Sequence, residues 1–397
     1  MSDTNERGAG LDRRDFFKTA GAGLTAAGLM LTPREQAIAQ EREEKNRLAR
    51  IASNSYPIRY IFKTRTGGGR GAAGRGGAGQ AGRGGAPAGA ATAPSQRTPA
   101  NAGVSREEMK KKYGEITMLD FPQFTKDTFP GVTHMDVFSG LFGDVTDDSM
   151  FAGNQFDPSS ASGKKWLHAF AEKLVVTGTK VQHISNNAPN DLAGPDEALR
   201  KAGVEVGRKW LDGAAILGAK SVRMNSPRAL GPSLRPEAAI DPKTGYPKND
   251  AIVPYLEAAI ESHKEMADHG GKLGIRVTIE NHWGLAADPT NIRTILDEVN
   301  HPYCEASPDF CNWEHEYMLV SGLKALAPYA HTNVHAKYWD RWGTKNDVQR
   351  SVRIMLAAGF KGTFALEYEE GPLNGVEGAK FLYKEVLAAL TAPTPVI

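Results

Sequence analysis

An α/β fold, a single (β/α)8 TIM barrel behind an export signal and a Gly/Arg-rich disordered linker, is what this sequence predicts. Short apolar runs alternate with longer amphipathic stretches from residue 116 onward, which is the rhythm of βαβ units on a parallel sheet. Eight such runs fall within about 280 residues, the count and length of one barrel. Polar residues follow the later runs directly, where barrel strands present side chains at their C-terminal ends. An open doubly wound sheet is the competing architecture, and no G-x-G-x-x-G cradle follows the first run to support it.

The chain has 397 residues, with 48 Lys and Arg against 46 Asp and Glu, a formal net charge of +2. So even a balance argues against nucleic acid or a membrane surface as partner and points to a small molecule. At the start, Arg13-Arg14-Asp15-Phe16-Phe17-Lys18 precedes a weakly apolar stretch over 19–31, and Ala37-Ile38-Ala39 offers a small-x-small cleavage site. Residues 1–39 resemble a twin-arginine export signal. The resemblance implies passage through the twin-arginine translocation machinery to the periplasm, after folding in the cytoplasm around any cofactor. The apolar stretch is well short of the roughly 20 residues of a membrane span, so no stable span is expected. Cys304 and Cys311 are the only cysteines, and their separation in an extended segment places them roughly 20 Å apart, too far for a disulfide.

Residues 40–114 read as linker. A charged stretch over 41–50 and a brief apolar one over 58–62 lead into 66–103, which is almost all Gly, Ala, Arg, Pro, Ser and Gln and cannot bury a core. Its Arg-Gly repeats lack the aromatics that would stack on bases, so it reads as a solvated spacer. The barrel is expected over 115–392. Its strands are predicted at 116–120, 132–138, 180–185, 220–225, 275–281, 304–309, 331–337 and 363–368. Helices are predicted at 165–177, 197–217, 252–268, 291–299, 318–329, 347–358 and 376–390, several ended by Gly178, Gly218, Gly270, Asn300 or Gly359.

The last four strands each end on a metal ligand: Ile279-Glu280-Asn281-His282, Ser307-Pro308-Asp309-Phe310-Cys311-Asn312, Asn333-Val334-His335-Ala336-Lys337 and Ala365-Leu366-Glu367-Tyr368-Glu369. Converging at the barrel mouth, Glu280, Asp309, His335 and Glu367 would make a hard, mostly oxygen site for one divalent ion, Mn²⁺ foremost, with Mg²⁺, Co²⁺ or Zn²⁺ also suited. Any one of them alone reads more readily as a surface carboxylate or a hydrogen-bonded core histidine than as a ligand. Together they differ, because acids directly after Val-Thr-Ile and Phe-Ala-Leu sit where burial is unfavourable without a compensating cation. Lys337 lies on the same strand face as His335 and could hold an oxyanion. His282 and His183 could also contact substrate; His134, Asp136, Arg223 and Asn225 could line the mouth or be satisfied core groups. Trp283, Trp313, Trp339 and Trp342 follow the ligand strands and suit either packing or the apolar face of a sugar ring.

Glu280-Asn281-His282, Asp309, Val334-His335-Ala336-Lys337 and Glu367 resemble the metal-site motifs of the xylose isomerase-like barrel superfamily, of the sugar phosphate isomerase/epimerase type. The arrangement is similar to ketose 3-epimerases. The resemblance implies that Glu280 and Glu367 both bind the metal and shuttle a proton on either face of a substrate carbon, with Asp309 and His335 as the remaining ligands. It also implies that Arg341 contacts substrate oxygens. Asn312 stands where these epimerases have a histidine, so it would meet the substrate without a positive charge. Asn312 and Asp340-Arg341-Trp342 also depart from the extra ligands of the three-zinc endonuclease IV relatives, which argues against a phosphodiesterase.

The expectation is therefore a metal-dependent sugar isomerase or epimerase. A lyase or dehydratase acting on a 3-keto sugar or glycoside, and a non-catalytic sugar-binding barrel, are the alternatives. Export favours a free sugar or glycoside over a sugar phosphate, and the sequence leaves a homo-oligomer open.

Overall fold

The computed structural model describes residues 33–65, 105–189, 191–194, 196–224, 252–282, 284–313, 315–342 and 346–392. The proposed export motif at Arg13-Arg14, the Gly/Arg-rich stretch 66–103, Asn225 and Trp283 lie outside them. The chain divides into two compact units, Met1–Asn46 and Arg47–Ile397. The described part of the first is helical and lies within α1 (Pro33–Leu48), half of whose residues are charged and most of which are exposed. Among the described residues no helix is long and apolar enough to cross a membrane.

The second unit is a TIM-barrel-like fold of eight parallel strands: β1 (Ile51–Asn54), β2 (His134–Phe138), β3 (Lys180–Ser185), β4 (Ser221–Arg223), β5 (Arg276–Ile279), β6 (Cys304–Ala306), β7 (Asn333–Trp339) and β8 (Thr363–Glu370). Their order in the sheet is β6-β5-β4-β3-β2-β1-β8-β7, every neighbouring pair parallel. The two ends meet at one parallel bridge, Asp309 with His335, where the His335 amide donates to the Pro308 carbonyl at 3.1 Å and the Phe310 amide to the His335 carbonyl at 3.2 Å. Around the sheet run α2 (Arg106–Tyr113), α3 (Phe121–Thr128), α4 (Ala161–Thr177), α5 (Glu197–Leu217), α6 (Val253–Leu273), α7 (Pro289–Val299), α8 (Met318–Leu326), α9 (Val348–Ala357) and α10 (Gly375–Thr391). The longer ones bury an apolar stripe, as α9 does with Val348, Val352 and Met355, whereas α2 buries only Met109.

Helix boundaries follow capping chemistry. Asp196 caps α5 by accepting from the Leu199 amide at 3.1 Å, and Asp347 caps α9 by accepting from Arg350 at 2.8 Å. Gly178 and Gly218 take the left-handed conformation that ends α4 and α5. Gly270, expected to end a helix, is instead inside α6, which stops at Gly274. A Cβ on Gly270 would lie 2.5 Å from the Ile275 carbonyl, so this glycine lets the helix approach the following strand.

The first strand is the main correction. The segment 116–120 is not a barrel strand: Ile116 makes only an isolated bridge to Phe62. Residues 51–54, expected in a linker, form β1 between β2 and β8, with Ala52 opposite His134 and Ala365. The barrel therefore begins near Arg47 rather than at residue 115, and 66–103 lies in sequence between β1 and α2. The physical reason is that Ile51-Ala52-Ser53-Asn54 carries one bulky apolar side chain, yet all four residues are buried. Small residues suffice where a short strand is covered on both faces, and they leave little β signature.

Candidate metal centre

Inward-facing positions recur every second residue along a strand, so Asn333, His335 and Lys337 stack in three layers on β7. On neighbouring β8 the same face carries Thr363, Ala365, Glu367 and Glu369, with Lys337 directly opposite Glu367. Glu280 follows the last residue of β5. Asp309 is fixed after β6 by Asn281, whose side chain donates to the Asp309 carbonyl at 3.0 Å and accepts from its amide at 2.7 Å. Asp309 Oδ1 is held by the amides of Cys311 and Asn312, at 2.6 and 3.0 Å, which leaves Oδ2 aimed into the site.

Glu280, Asp309, His335 and Glu367 are all buried, and one ligand atom from each lies within 4.8 Å of the others. His335 Nδ1 is 2.8 Å from Glu280 Oε1, 3.6 Å from Glu367 Oε2 and 3.9 Å from Asp309 Oδ2. Lys337 Nζ lies 3.1 Å from Asp309 Oδ2, 3.0 Å from Glu367 Oε1 and 3.6 Å from Glu369 Oε2. The Arg223 guanidinium contacts Glu280 Oε2 directly. Asn312 bridges the two halves, donating to Glu280 Oε1 at 3.3 Å and accepting from Lys337 at 3.0 Å.

The residues fit a divalent cation on two grounds. Asp309 Oδ2 is an ion-pair partner of Lys337 but lies out of line for any hydrogen bond, a buried acceptor left over. Charge gives the second. Among the described residues the connected network holds five carboxylates, Asp136, Glu280, Asp309, Glu367 and Glu369, against three permanent cations, Arg59, Arg223 and Lys337. With neutral His335 two negative charges remain uncompensated in a desolvated setting, the charge one divalent ion supplies.

Without an ion, protons take up the deficit. Burial pushes the Asp309 carboxyl up to about 7, with the Glu367 and Glu280 charges adding to it and Lys337 opposing. Burial disfavours a charged His335, but Glu367, Glu280 and Asp136 outweigh it and hold the ring protonated well above its usual range. Glu280 goes the other way: burial would raise it, yet Arg223 and then His335 keep it ionised well below the usual carboxylate range.

The predicted substrate contacts are dispersed. Lys337 is at the centre, among the carboxylates, and Asn312 spends both ends of its amide within the cluster. His183 is fully buried beside His335, ring centroids 5.8 Å apart, with Nδ1 2.7 Å from Ser221 Oγ, and burial lowers its pKa to about 4. Its contact is with His335, not with the mouth. His282 stands close enough to Glu280 to favour its ionised form, after the larger effects of Arg223 and His335. Arg341 stacks over Trp339 at 4.7 Å and Trp342 at 5.4 Å and donates to the Cys311 carbonyl at 3.3 Å, at the edge of the four ligands. Trp313 is packing: it is fully buried, its ring against Gly322.

Tyr56 and Arg59 were not anticipated, because their segment read as linker. The Tyr56 hydroxyl donates to Glu369 Oε1 at 3.2 Å, and Arg59 stacks on Tyr56 at 3.9 Å while pairing with Glu369 at 3.9 Å. The brief apolar run 58–62 just after β1 was the available signal.

The family model for the xylose isomerase-like TIM barrel matches residues 148–385, which carry β3 to β8 and all four candidate ligands. Comparison with curated proteins gives no match. Among solved structures, apo 3-keto-D-glucoside 4-epimerase from E. coli shares 13% identity, covering 68% of this chain and 94% of that one at a TM-score of 0.49. A xylose isomerase-like TIM barrel protein from Mycobacterium smegmatis in complex with magnesium shares 16%, covering 74% and 95% at 0.46. D-allulose 3-epimerase from Methylomonas sp. in complex with D-allulose shares 15%, covering 64% and 77% at 0.45.

Proposed function

This chain belongs to the xylose isomerase-like TIM barrel family, and on that footing we propose that it is a metal-dependent isomerase or epimerase of a sugar or glycoside. The observation that carries the reading is the convergence of Glu280, Asp309, His335 and Glu367 on one point, with two negative charges to spare. Those four residues would hold a single divalent ion, Mn²⁺ foremost, with Mg²⁺, Co²⁺ or Zn²⁺ as alternatives. Bound there, the ion would draw electron density from a substrate carbonyl and its neighbouring hydroxyl and so acidify the C–H bond between them.

The chain's own groups do the rest. Glu280 and Glu367 reach the site from β5 and β8, and in this reading one takes the proton and the other returns it. Lys337, held between Asp309 and Glu367, is placed to stabilise the oxyanion that forms as the proton leaves. Arg341 and His282 serve substrate hydroxyls. We further propose that the twin-arginine motif delivers the enzyme to the periplasm, where free sugars and glycosides are the available substrates.

The Arg223 contact favours a second reading with the same parts. Arg223 ties down one oxygen of Glu280, which leaves Glu367 as the freer base. One base suffices for a lyase or dehydratase: Glu367 removes the proton next to the carbonyl, a carbon–carbon double bond forms, and a β substituent leaves with its electron pair.

The test is metal content followed by labelling. Purified protein should carry about one divalent ion per chain, and chelation should abolish turnover on a panel of ketoses and 3-keto glycosides. In D₂O, deuterium at a retained carbon identifies epimerisation, and an unsaturated product identifies elimination. Protein without metal and indifferent to chelation would leave only a sugar-binding barrel.

A further inference from the structure

Behind His335, on the side away from the four-ligand cluster, the barrel interior holds a second polar group that the proposed chemistry does not use. His335 Nε2 lies 2.9 Å from Asp136 Oδ2 and 3.1 Å from Ser185 Oγ. Ser185 also donates to Asp136 Oδ1 at 2.7 Å, and Asn333 donates to Asp136 Oδ2 at 3.1 Å. Thr363 in turn donates to Asn333 Oδ1 at 2.6 Å. Asp136, Ser185, Asn333 and Thr363 come from β2, β3, β7 and β8, and each is at most 4% exposed.

We propose that Asp136 is the positioning residue of the metal centre: it accepts the Nε2 proton of His335 and thereby leaves Nδ1 as the nitrogen that binds the ion. A neutral imidazole carries one N–H and one lone pair, so fixing the proton on one nitrogen fixes the lone pair on the other. Asp136 is suited because both its oxygens already accept from donors whose own positions are set, Ser185 on one and Asn333 on the other. It can present only acceptor character to the ring. A ligating histidine oriented by a carboxylate gains basicity and a fixed ring plane, and losing such a partner costs metal affinity about 10–100-fold.

The inference rests on the metal reading above, and the rival use of the same atoms is a second metal site. One ligand atom from each of Asp136, His183 and His335 also falls within 4.8 Å of the others, and among the described residues His183 Nε2 has no hydrogen-bond partner. One ring cannot supply Nε2 to a second ion while Asp136 holds the proton there, so the two arrangements exclude each other.

The test uses the full chain and titrates Mn²⁺ by calorimetry, with the histidine ring nitrogens of the Zn²⁺-loaded protein followed by NMR. Asp136→Asn keeps the shape but removes the carboxylate charge that makes the bond to the His335 N–H strong, and it sets an amide donor beside Ser185 or against Asn333 according to how the amide lies. It should weaken Mn²⁺ binding about 10–100-fold, and the Nε2–H signal of His335 seen in the unsubstituted protein should shift or be lost. Ser185→Ala, a smaller change, should weaken binding several-fold with the signal retained; it keeps the test alive if Asp136→Asn does not fold. Unchanged affinity in both variants, a proton on Nδ1 of loaded His335, or two ions per chain with one lost in His183→Ala would each overturn the role of Asp136. Absence of any metal binding by the unsubstituted protein would sink the metal reading itself, a different result from unchanged affinity in the variants.

Discussion

Metal loading should release protons, and the number released should change across neutral pH. In the metal-free cluster the Glu367, Glu280 and Asp136 charges outweigh the burial of His335 and raise its pKa well above the usual imidazole range. Asp309 is pushed up to about 7, so it is mostly protonated at pH 6 and mostly ionised at pH 8. An ion bound at Nδ1 and at Asp309 Oδ2 must displace both protons where both are present. Release is therefore greater at pH 6 than at pH 8, by about one proton from Asp309 alone. The sign follows: affinity rises with pH, by about one decade over this span from Asp309, or about 1.4 kcal/mol, with His335 adding in the same direction. Calorimetric titration with Mn²⁺ in two buffers of different protonation enthalpy measures the proton count directly at each pH. A count near zero at pH 6, or an affinity flat between pH 6 and 8, would refute both the assigned ligands and the charge argument that places the ion among them.

Three further outcomes follow from other parts of the molecule. Glu367→Gln should reduce turnover by about a hundredfold or more, and Glu280→Gln should chiefly weaken metal binding; equal turnover to the unsubstituted enzyme in steady-state assays would remove both from the chemistry. Gly375→Ala would place a Cβ 1.8 Å from the Pro57 carbonyl, and the forced shift should cost about 1–3 kcal/mol in urea unfolding. A chain starting at Glu115 lacks β1 and should fail to give a cooperative thermal transition, whereas one starting at Arg47 should melt cooperatively; a well-folded product from Glu115 would contradict the placement of residues 51–54 in the barrel.

The second half of the barrel was legible because β5, β7 and β8 are apolar runs long enough to announce themselves and end on residues whose burial demands an explanation. Glu280 directly after Val277-Thr278-Ile279 is the plainest instance. The start was not. Ser53 and Asn54 look like loop residues, and only the pairing of Ala52 with strands on both sides gives them a reason to be extended. Ile116, more apolar, was the better strand by composition and lost to topology. Residues acting through others were equally hidden. Ser185 and Asn333 carry no motif, and their importance comes from standing 3.1 Å from His335 and from Asp136, distances no local pattern encodes. Arg223 could be read as lining the mouth, but not as the partner that restrains Glu280.

The parallel sheet becomes a ring at a single seam, and the residues of that seam are Asp309 and His335. Whatever fastens those two side chains to each other also fastens the last pair of strands, so an ion there would act as a clasp on the architecture as well as a reagent. Amide exchange at Phe310 and His335, whose hydrogen bonds make the seam, would then slow with occupancy, and the barrel's hold on its own shape would be readable from the state of its active site.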